Sequence, residues 1–198
     1  EERATREGGA SEGGRVDECL ALDYSDSGFV QPTLDSVREW TFEPVRIDGV
    51  PVPSTSQVAF RFRTDGTVVV SIAGDDIGLS WQLRIPSMSI GFRTRDLRDL
   101  DAIPRPIQAP APAYSAALAR QGHTGSVTVH FYIDPTGAVR LPSVDPGEDQ
   151  QLAALAIAAL QRWRFEPPRY HNHPAQVRAS QVFVFQAPAA ARRASGSG

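Results

Sequence analysis

The sequence predicts an α+β protein of two small tandem modules, each a helix packed on a short, mainly antiparallel sheet. Two observations support this: a block of aromatic, Glu and Pro residues occurs twice, and apolar residues recur with the periods of strands and of a helix. With 198 residues, the chain is long enough for two domains that each bury a modest core.

The repeat is clearest in a Trp-x-Phe-Glu-Pro block. Trp40–Pro44 recurs as Trp163–Pro167, at an offset of 123 residues. Keeping that offset gives eleven identities between residues 14–62 and 137–185, mostly at aromatic, Gly and Pro positions, so chance explains the match poorly. The pairs outside the block are Gly14 with Gly137, Val16 with Val139, Asp26 with Asp149, Arg46 with Arg169, Pro51 with Pro174, Phe60 with Phe183 and Phe62 with Phe185.

The second copy begins with a predicted β-hairpin. Residues 126–133 alternate apolar and polar side chains, which is typical of a half-buried strand. Asp134–Gly137 has the residues that a type I turn favours, and residues 138–144 return as the second strand.

A helix and a last strand are predicted to follow this hairpin. Apolar residues from Leu152 to Trp163 have helical spacing, and Glu148 or Asp149 can cap the helix start. Pro167-Pro168 ends the helix, and residues 177–185 form the last strand.

The first copy differs at its start. Residues 2–11 cannot supply an apolar strand face, whereas Gln57–Arg63 and Thr67–Ala73 are apolar runs joined across Asp65-Gly66, a strong hairpin signal. We therefore expect Thr67–Ala73 to take the vacant strand position, so that this module is permuted or patched.

These patterns predict five regions, with further strands expected at Leu79–Ile85 and, more weakly, Met88–Phe92. The regions are a linker or disordered segment at 1–13, a first module at 14–92, a Pro-rich linker at 93–112, a second module at 113–186 and a disordered tail at 187–198.

Composition excludes several classes of function. A net charge of -3 gives no long-range attraction for nucleic acid, and the single cysteine, Cys19, excludes an intrachain disulfide and a multi-cysteine zinc site. The apolar run Leu152–Leu160 is far shorter than the roughly 20 residues that span a bilayer. Because the chain starts without Met, we expect a membrane anchor to have been removed from it.

Four motifs have a structural interpretation that outweighs a functional one. His171-Asn172-His173 is expected in an exposed turn rather than at a metal, and His130 on the solvent face of its strand. Trp40 and Trp163 are expected to pack between helix and sheet, and Cys19 to act as a small apolar residue. No phosphate loop, catalytic carboxylate pair or nucleophile elbow is present, so we predict neither an enzyme nor a cofactor.

The second copy carries an ordered set of motifs over Pro104–Phe185. Tyr114 precedes a short helix, Gly-x-Val-x-Val-x-Phe-x-Ile-Asp-x-x-Gly-x-Val spans residues 125–139, and Trp-Arg-Phe-x-Pro spans 163–167 before a Phe-x-Phe strand. In this order the motifs resemble the C-terminal domain of the TonB energy transducers. Ser115 departs from the family's usual Tyr-Pro before the first helix, which weakens conclusions drawn from that motif.

The resemblance implies a periplasmic domain, anchored to the inner membrane by a segment absent from this chain and driven by an inner-membrane proton-channel complex. Its implied partner is a short peptide, the TonB box, of an outer-membrane transporter, with no nucleic acid or small-molecule substrate. The alternative is a non-transducing structural adaptor of the cell envelope, similar to TolA, and a small-molecule-binding enzyme is a third possibility.

Peptide capture is expected at the last strand, because nothing downstream in the sequence can pair with it. Tyr114 is a further candidate for partner binding. The predicted edge-strand residues are Ser180, Gln181, Val182, Phe183, Val184 and Phe185.

Overall fold

The computed structural model describes residues 2–10, 14–44, 46–47, 50–51, 54–62, 68–74, 92–145 and 147–186. The chain divides into two compact units, Glu1–Thr94 and Arg95–Gly198. Both combine a mainly antiparallel sheet with one principal helix, which confirms the predicted α+β class. Among the described residues, no helix has both the length and the apolar character that a membrane crossing requires.

The first unit contains a five-stranded sheet in the order β6-β5-β1-β2-β7, whose neighbouring strands are all antiparallel. The short strands β3 and β4 pair with each other. The elements are β1 (Glu2–Ala10), β2 (Val16–Tyr24), α1 (Val30–Arg38), β3 (Arg46–Ile47), β4 (Val50–Pro51), β5 (Ser54–Phe62), β6 (Val68–Gly74) and β7 (Phe92–Arg93).

The second unit contains a four-stranded sheet in the order β11-β10-β15-β8, in which only β8 runs parallel to its neighbour. Two short pairs, β9 with β12 and β13 with β14, flank it. The elements are β8 (Arg95–Asp96), β9 (Pro106–Gln108), α2 (Ala116–Arg120), β10 (Gly125–Ile133), β11 (Val139–Val144), α3 (Gln150–Leu160), β12 (Arg164–Phe165), β13 (Arg169–Tyr170), β14 (His173–Pro174) and β15 (Val177–Phe185).

The core of the second unit lies between α3 and one face of its sheet. The alternating apolar residues predicted for the first strand, such as Val127 and Ile133, are buried, as are Leu152 and Leu160 on α3. Asp149 caps the helix by accepting hydrogen bonds from the Gln151 and Leu152 amides at 2.9 and 3.0 Å. The predicted hairpin, helix and last strand are therefore confirmed, except that α3 ends at Leu160, before Trp163.

Among the residues whose burial the structure describes, the core of the first unit is smaller. Its buried cluster consists of Cys19, Val37, Val58 and Phe60, with Trp40 packed against it. The Trp40 ring centroid lies 5.7 Å from that of Phe60. Cys19 is thus a small apolar core residue, as predicted.

The prediction of a vacant strand position in the first unit was wrong. Residues Glu2–Ala10, expected as a linker, form β1, which pairs with β2 on one side and with β5 on the other. The apolar periodicity misled us because backbone hydrogen bonds to two flanking strands can hold a strand whose side chains are poorly apolar. The residues expected to fill the vacancy instead form β6, on the opposite edge of β5.

The elements of the two units recur at the offset of the sequence repeat. Moving β1 and β5 by 123 residues gives the bounds of β10 and β15. Both units also contain one equivalent contact, which we name the joint: a backbone hydrogen bond between a glycine and a phenylalanine. The Gly14 carbonyl accepts from the Phe42 amide at 2.8 Å, and the Gly137 carbonyl accepts from the Phe165 amide at 2.9 Å.

Other boundaries also differ from the prediction. Residues 93–112, expected to be a linker, include β8, a short 3-10 turn and β9, so the second unit begins at Arg95. The Pro110 carbonyl accepts a hydrogen bond from Trp163 Nε1 at 3.0 Å, which shows why this segment is held. The predicted strand Leu79–Ile85 and the tail at 187–198 lie outside the described residues, as does Met88–Phe92 apart from Phe92 in β7.

Candidate functional site

Within the described parts of the chain, the outer edge of β15 is largely unpaired. On its inner side, β15 pairs with β10 along all nine residues. On its outer side, β8 pairs only with Val177 and Arg178. From Ala179 to Phe185, no strand in the described parts of the chain covers that outer edge, which includes all six residues predicted for partner binding.

One contact shows the hydrogen-bonding phase of this edge, that is, which residues of β15 direct their N–H and C=O groups outward. The Arg95 amide donates to the Gln176 carbonyl at 2.8 Å, so the backbone groups of Gln176 point outward. Because these groups alternate in direction along a strand, those of Ser180, Val182 and Val184 also point outward. The edge thus offers three residues whose N–H and C=O groups can join another strand.

The two valines also expose their side chains. Val182 is 51% exposed and Val184 is 62% exposed, on the sheet face opposite the α3 core. One outward backbone group already has a partner, because Gln181 Nε2 donates to the Val182 carbonyl at 2.8 Å. A strand that joins this edge either displaces that amide or shares the carbonyl with it.

Tyr114 lies at the far end of the same strand. Its ring meets the Phe185 ring edge-on, with centroids 5.2 Å apart, and its hydroxyl donates to the His123 carbonyl at 2.8 Å. Tyr114 is therefore positioned beside the predicted edge, where it fixes the end of β15 against the segment that precedes β10.

The near end of the free edge is set by a segment that we name the strap, residues 95–101. The Arg95 guanidinium lies 4.0 Å from the centre of the Tyr170 ring. The Asp101 carboxylate accepts from the His171 and Asn172 amides at 2.9 and 2.8 Å. Those amide hydrogen bonds, that of Asn172 most strongly, lower the pKa of Asp101, so its carboxylate stays charged where it holds the turn.

Sequence reasoning missed the strap. Its alternating Arg and Asp residues resemble a solvated surface segment, and a two-residue strand has no apolar period. The alignment of Asp101 with the turn at His171-Asn172 is a long-range contact without a local signal.

The histidines lie in the structural positions predicted from the sequence. His171 and Asn172 form an exposed turn with positive φ angles, between β13 and β14. His130 is partly exposed, with Nε2 3.3 Å from Asp145 Oδ2. Within the described residues, no three His, Cys, Asp or Glu side chains group in a way that could hold a metal ion.

Comparisons with known proteins concern the second unit. The family model described as the Gram-negative bacterial TonB protein C-terminal matches residues 110–187. The solution NMR structure of the Pseudomonas aeruginosa TonB CTD is similar at 24% sequence identity, with a TM-score of 0.34, over 42% of this chain and 85% of that chain. No curated protein matches the chain. The family match therefore shows that residues 110–187 are similar to the C-terminal domain of TonB proteins.

Proposed function

We propose that the second unit is the non-enzymatic, peptide-binding domain of a TonB-like energy transducer. In this proposal it acts in the periplasm and captures an extended segment of an outer-membrane transporter by adding it as a strand to β15. The transducer reaches the inner membrane and its proton-channel complex through a segment outside this chain. The transport setting rests on the family match over residues 110–187.

The observation that supports capture is the outer edge of β15. Its outward backbone groups on Ser180, Val182 and Val184 match the spacing of a peptide in an extended conformation. Main-chain hydrogen bonds would supply affinity, and alternate side chains would supply selectivity.

We further propose that the first unit is a second, diverged copy of the same domain. The constant offset of its elements and the equivalent Gly14 and Gly137 joints support this relationship. In this copy β6 already covers the edge of β5 that corresponds to the outer edge of β15. The first unit is therefore not assigned to peptide capture through that edge.

Proline substitution tests strand addition directly. Val182→Pro and Val184→Pro each remove an outward N–H without removing one that pairs with β10. We expect each to weaken binding of a TonB-box peptide by roughly tenfold or more, since one hydrogen bond and the fit of the strand are lost together. Calorimetric titration of the folded full chain measures this effect.

The matched control is Val182→Ala, which shortens the side chain but keeps the donor. Circular dichroism and thermal unfolding establish that each variant folds. Unchanged peptide affinity in both folded proline variants would exclude this edge as the capture site. Loss of affinity in Val182→Ala equal to that in Val182→Pro would assign binding to the side chain instead of the backbone.

A further inference from the structure

The strap occupies the first two positions of the outer edge of β15. Its strand β8 pairs in parallel with Val177 and Arg178. The Arg95 amide donates to the Gln176 carbonyl, which points outward from this edge. The strap therefore holds part of the edge through the same kind of backbone pairing that strand addition would use.

The strap is an addition to the segment that the family model matches. The match begins at residue 110, whereas the strap ends at Asp101. The buried residues of the core cluster in the second unit all come from residues 127–185. On its other side, β15 keeps its nine-residue pairing with β10. The core and the central strand pair of this unit are therefore built without the strap.

The middle of the strap is held by two leucines. Leu97 and Leu100 pack against the core cluster, but both remain partly exposed. Arg98 between them is exposed, and its ion pair is with Asp96 of the strap itself. Because this part of the strap buries less apolar surface than a core strand, it can open at a lower free-energy cost than β10 or β15.

Both ends of the strap are anchored on the β13–β14 hairpin. At its start, the Arg95 guanidinium lies over the Tyr170 ring. At its end, the Asp101 carboxylate accepts the amide hydrogen bonds of His171 and Asn172, and all three of these residues are exposed. These polar contacts are open to water, so they stabilise the closed strap without burying it.

The geometry points to an autoinhibitory role for the strap: we propose that it is a displaceable strand, anchored by Asp101, that competes with a captured segment for the outer edge of β15. β15 has nine residues and the closed strap covers two of them, which leaves the seven residues Ala179–Phe185 for strand addition. Release of the strap adds Val177 and Arg178 to the available edge. This inference rests on the proposed strand addition.

Competition of this kind depends on the length of the captured segment. A strand that covers only Ala179–Phe185 fits beside the closed strap and beside the open one, so it has no preference between the two states. A strand that reaches Val177 uses its whole length only when the strap is open. A ligand shifts an equilibrium only through such a difference in affinity, so weakening the strap should favour long segments alone.

The first test measures strap opening without any peptide. Asp101→Ala removes the carboxylate to which the two turn amides donate, so native-state hydrogen exchange of the Arg95 amide should rise about tenfold. Asp101→Asn keeps the shape of the side chain and should have a smaller effect in the same direction. The matched control is Asp99→Ala, which removes an exposed strap carboxylate that makes no hydrogen bond among the described residues and should leave exchange unchanged. Circular dichroism establishes that each variant folds.

The second test compares capture of short and long peptides by the same variants of the full chain. The probes are a seven-residue TonB-box peptide and two versions with two extra Thr residues, one lengthened at its N terminus and one at its C terminus. Asp101→Ala should tighten binding of the lengthened peptide that reaches Val177 by up to about tenfold, the factor by which strap opening rises. Affinity for the seven-residue peptide should change by less than about twofold.

The outcomes separate this inference from the proposed function. Unchanged exchange of the Arg95 amide in folded Asp101→Ala and Asp101→Asn would overturn Asp101 as the anchor of the strap. Faster exchange without tighter binding of either lengthened peptide, while Val182→Pro still weakens binding, would overturn autoinhibition and leave strand addition standing. An equal gain for the short and the long peptides would also overturn competition for the edge. Failure of every peptide to bind would overturn strand addition itself.

Discussion

β5 and β15 occupy equivalent places in their sheets, yet they differ in what covers their outer edges. β5 is paired with β6 from Ser56 to Phe62, whereas β15 is paired with β8 at two residues only. The sequence after each strand explains the contrast: Asp65-Gly66 favours a hairpin, while Pro188 follows β15 closely and cannot donate to a ladder. The same sheet arrangement can thus cover the edge of this strand or leave it open through a change in the next few residues.

β1 and β10, the first strands of the two repeated segments, differ in their apolar residues. β10 contributes four buried apolar residues to its core, including Phe131 and Ile133. β1 has Gly8 and Ala10 at the corresponding positions of the repeat, yet keeps the same two strand neighbours. Backbone pairing with two strands is therefore common to β1 and β10, and such pairing does not require the apolar sequence that β10 has.

The largest effect is expected at the joint shared by both units. Gly137 has φ +87°, and a Cβ there would lie 2.0 Å from the Phe165 carbonyl oxygen; Gly14 has φ +77° and an equivalent clash with Phe42. Either Gly→Ala variant should lower the free energy of unfolding of its unit by at least about 3 kcal/mol, since backbone strain and steric overlap combine.

Gly147→Ala is the matched control for this prediction. Its φ is +95°, but nothing lies within 4 Å of the added Cβ, so we expect only about 1 to 2 kcal/mol from strain. Denaturant unfolding followed by circular dichroism measures all three variants. A Gly14→Ala loss no greater than that of the control would show that the joint matters in one unit only.

The tryptophans give the next largest difference. Trp163 packs on Phe183 with ring centroids 5.6 Å apart and donates a hydrogen bond to Pro110. Trp40 has equivalent ring contacts, in a core that is smaller among the described residues. Because Trp163 is only half-buried, Trp163→Ala should cost about 2 to 4 kcal/mol, somewhat below the usual range for buried aromatics. Trp40→Ala should cost less.

Thermal and urea unfolding would compare these two variants with Trp163→Phe. The phenylalanine keeps an aromatic ring but loses the donor to Pro110, so a loss of about 1 kcal/mol is expected from the hydrogen bond. Equal losses in Trp40→Ala and Trp163→Ala would contradict the difference in core size as the cause.

A third prediction concerns the hydrogen-bonding phase of β6. If the first unit has the same phase as the second, the backbone groups of Ala59 point toward β6, and Ser71 opposite it donates into the ladder. Ser71→Pro should then destabilise the first unit by about 2 kcal/mol, because a paired donor is lost. The N–H of Val70 points away, so Val70→Pro should cost less.

Hydrogen exchange of the β5 amides distinguishes the two variants. Ser71→Pro should increase exchange at the residues that pair with β6, while peptide binding by the second unit stays unchanged. Greater damage from Val70→Pro than from Ser71→Pro would mean that the two units differ in phase.

The smallest effect involves pH and concerns the helix cap of the second unit. His123 Nδ1 lies 2.7 Å from Asp149 Oδ2, and this hydrogen bond, followed by that from the Leu152 amide, lowers the pKa of Asp149 below 3.8. A lowered carboxyl pKa stabilises the fold above the unfolded-state value, and that contribution disappears as pH falls through the folded-state pKa. Asp26, at the position equivalent to Asp149 in the sequence repeat, accepts a hydrogen bond from the Gly28 amide, and the described residues include no histidine beside it.

His123→Ala should therefore reduce stability by about 0.2 to 1 kcal/mol near pH 5, with the two proteins converging in stronger acid. Urea unfolding at several pH values measures this difference. His130→Ala is the control, because its contact with Asp145 is longer and caps no helix. A difference that stays constant down to the acid limit would show that His123 acts through packing instead of charge.

The sequence by itself determined the α+β class, the offset between the copies, and the hairpin, helix and last strand of the second unit. Those features follow from local information: alternating apolar residues in β10, a turn at Asp134–Gly137 and helical spacing in α3 each act over a few residues. It also led to the prediction, still untested, that no downstream segment pairs with the edge of Ser180–Phe185.

Only the tertiary structure decided which strands lie beside one another. β1 has a weak apolar pattern and is held by pairing with β2 and β5. Its own sequence therefore gives little indication that it forms a strand. The strap is likewise fixed by distant groups, with Asp101 bound to amides some 70 residues away. Backbone pairing is nearly independent of side-chain identity, so such contacts leave little trace in a sequence until the fold brings the partners together.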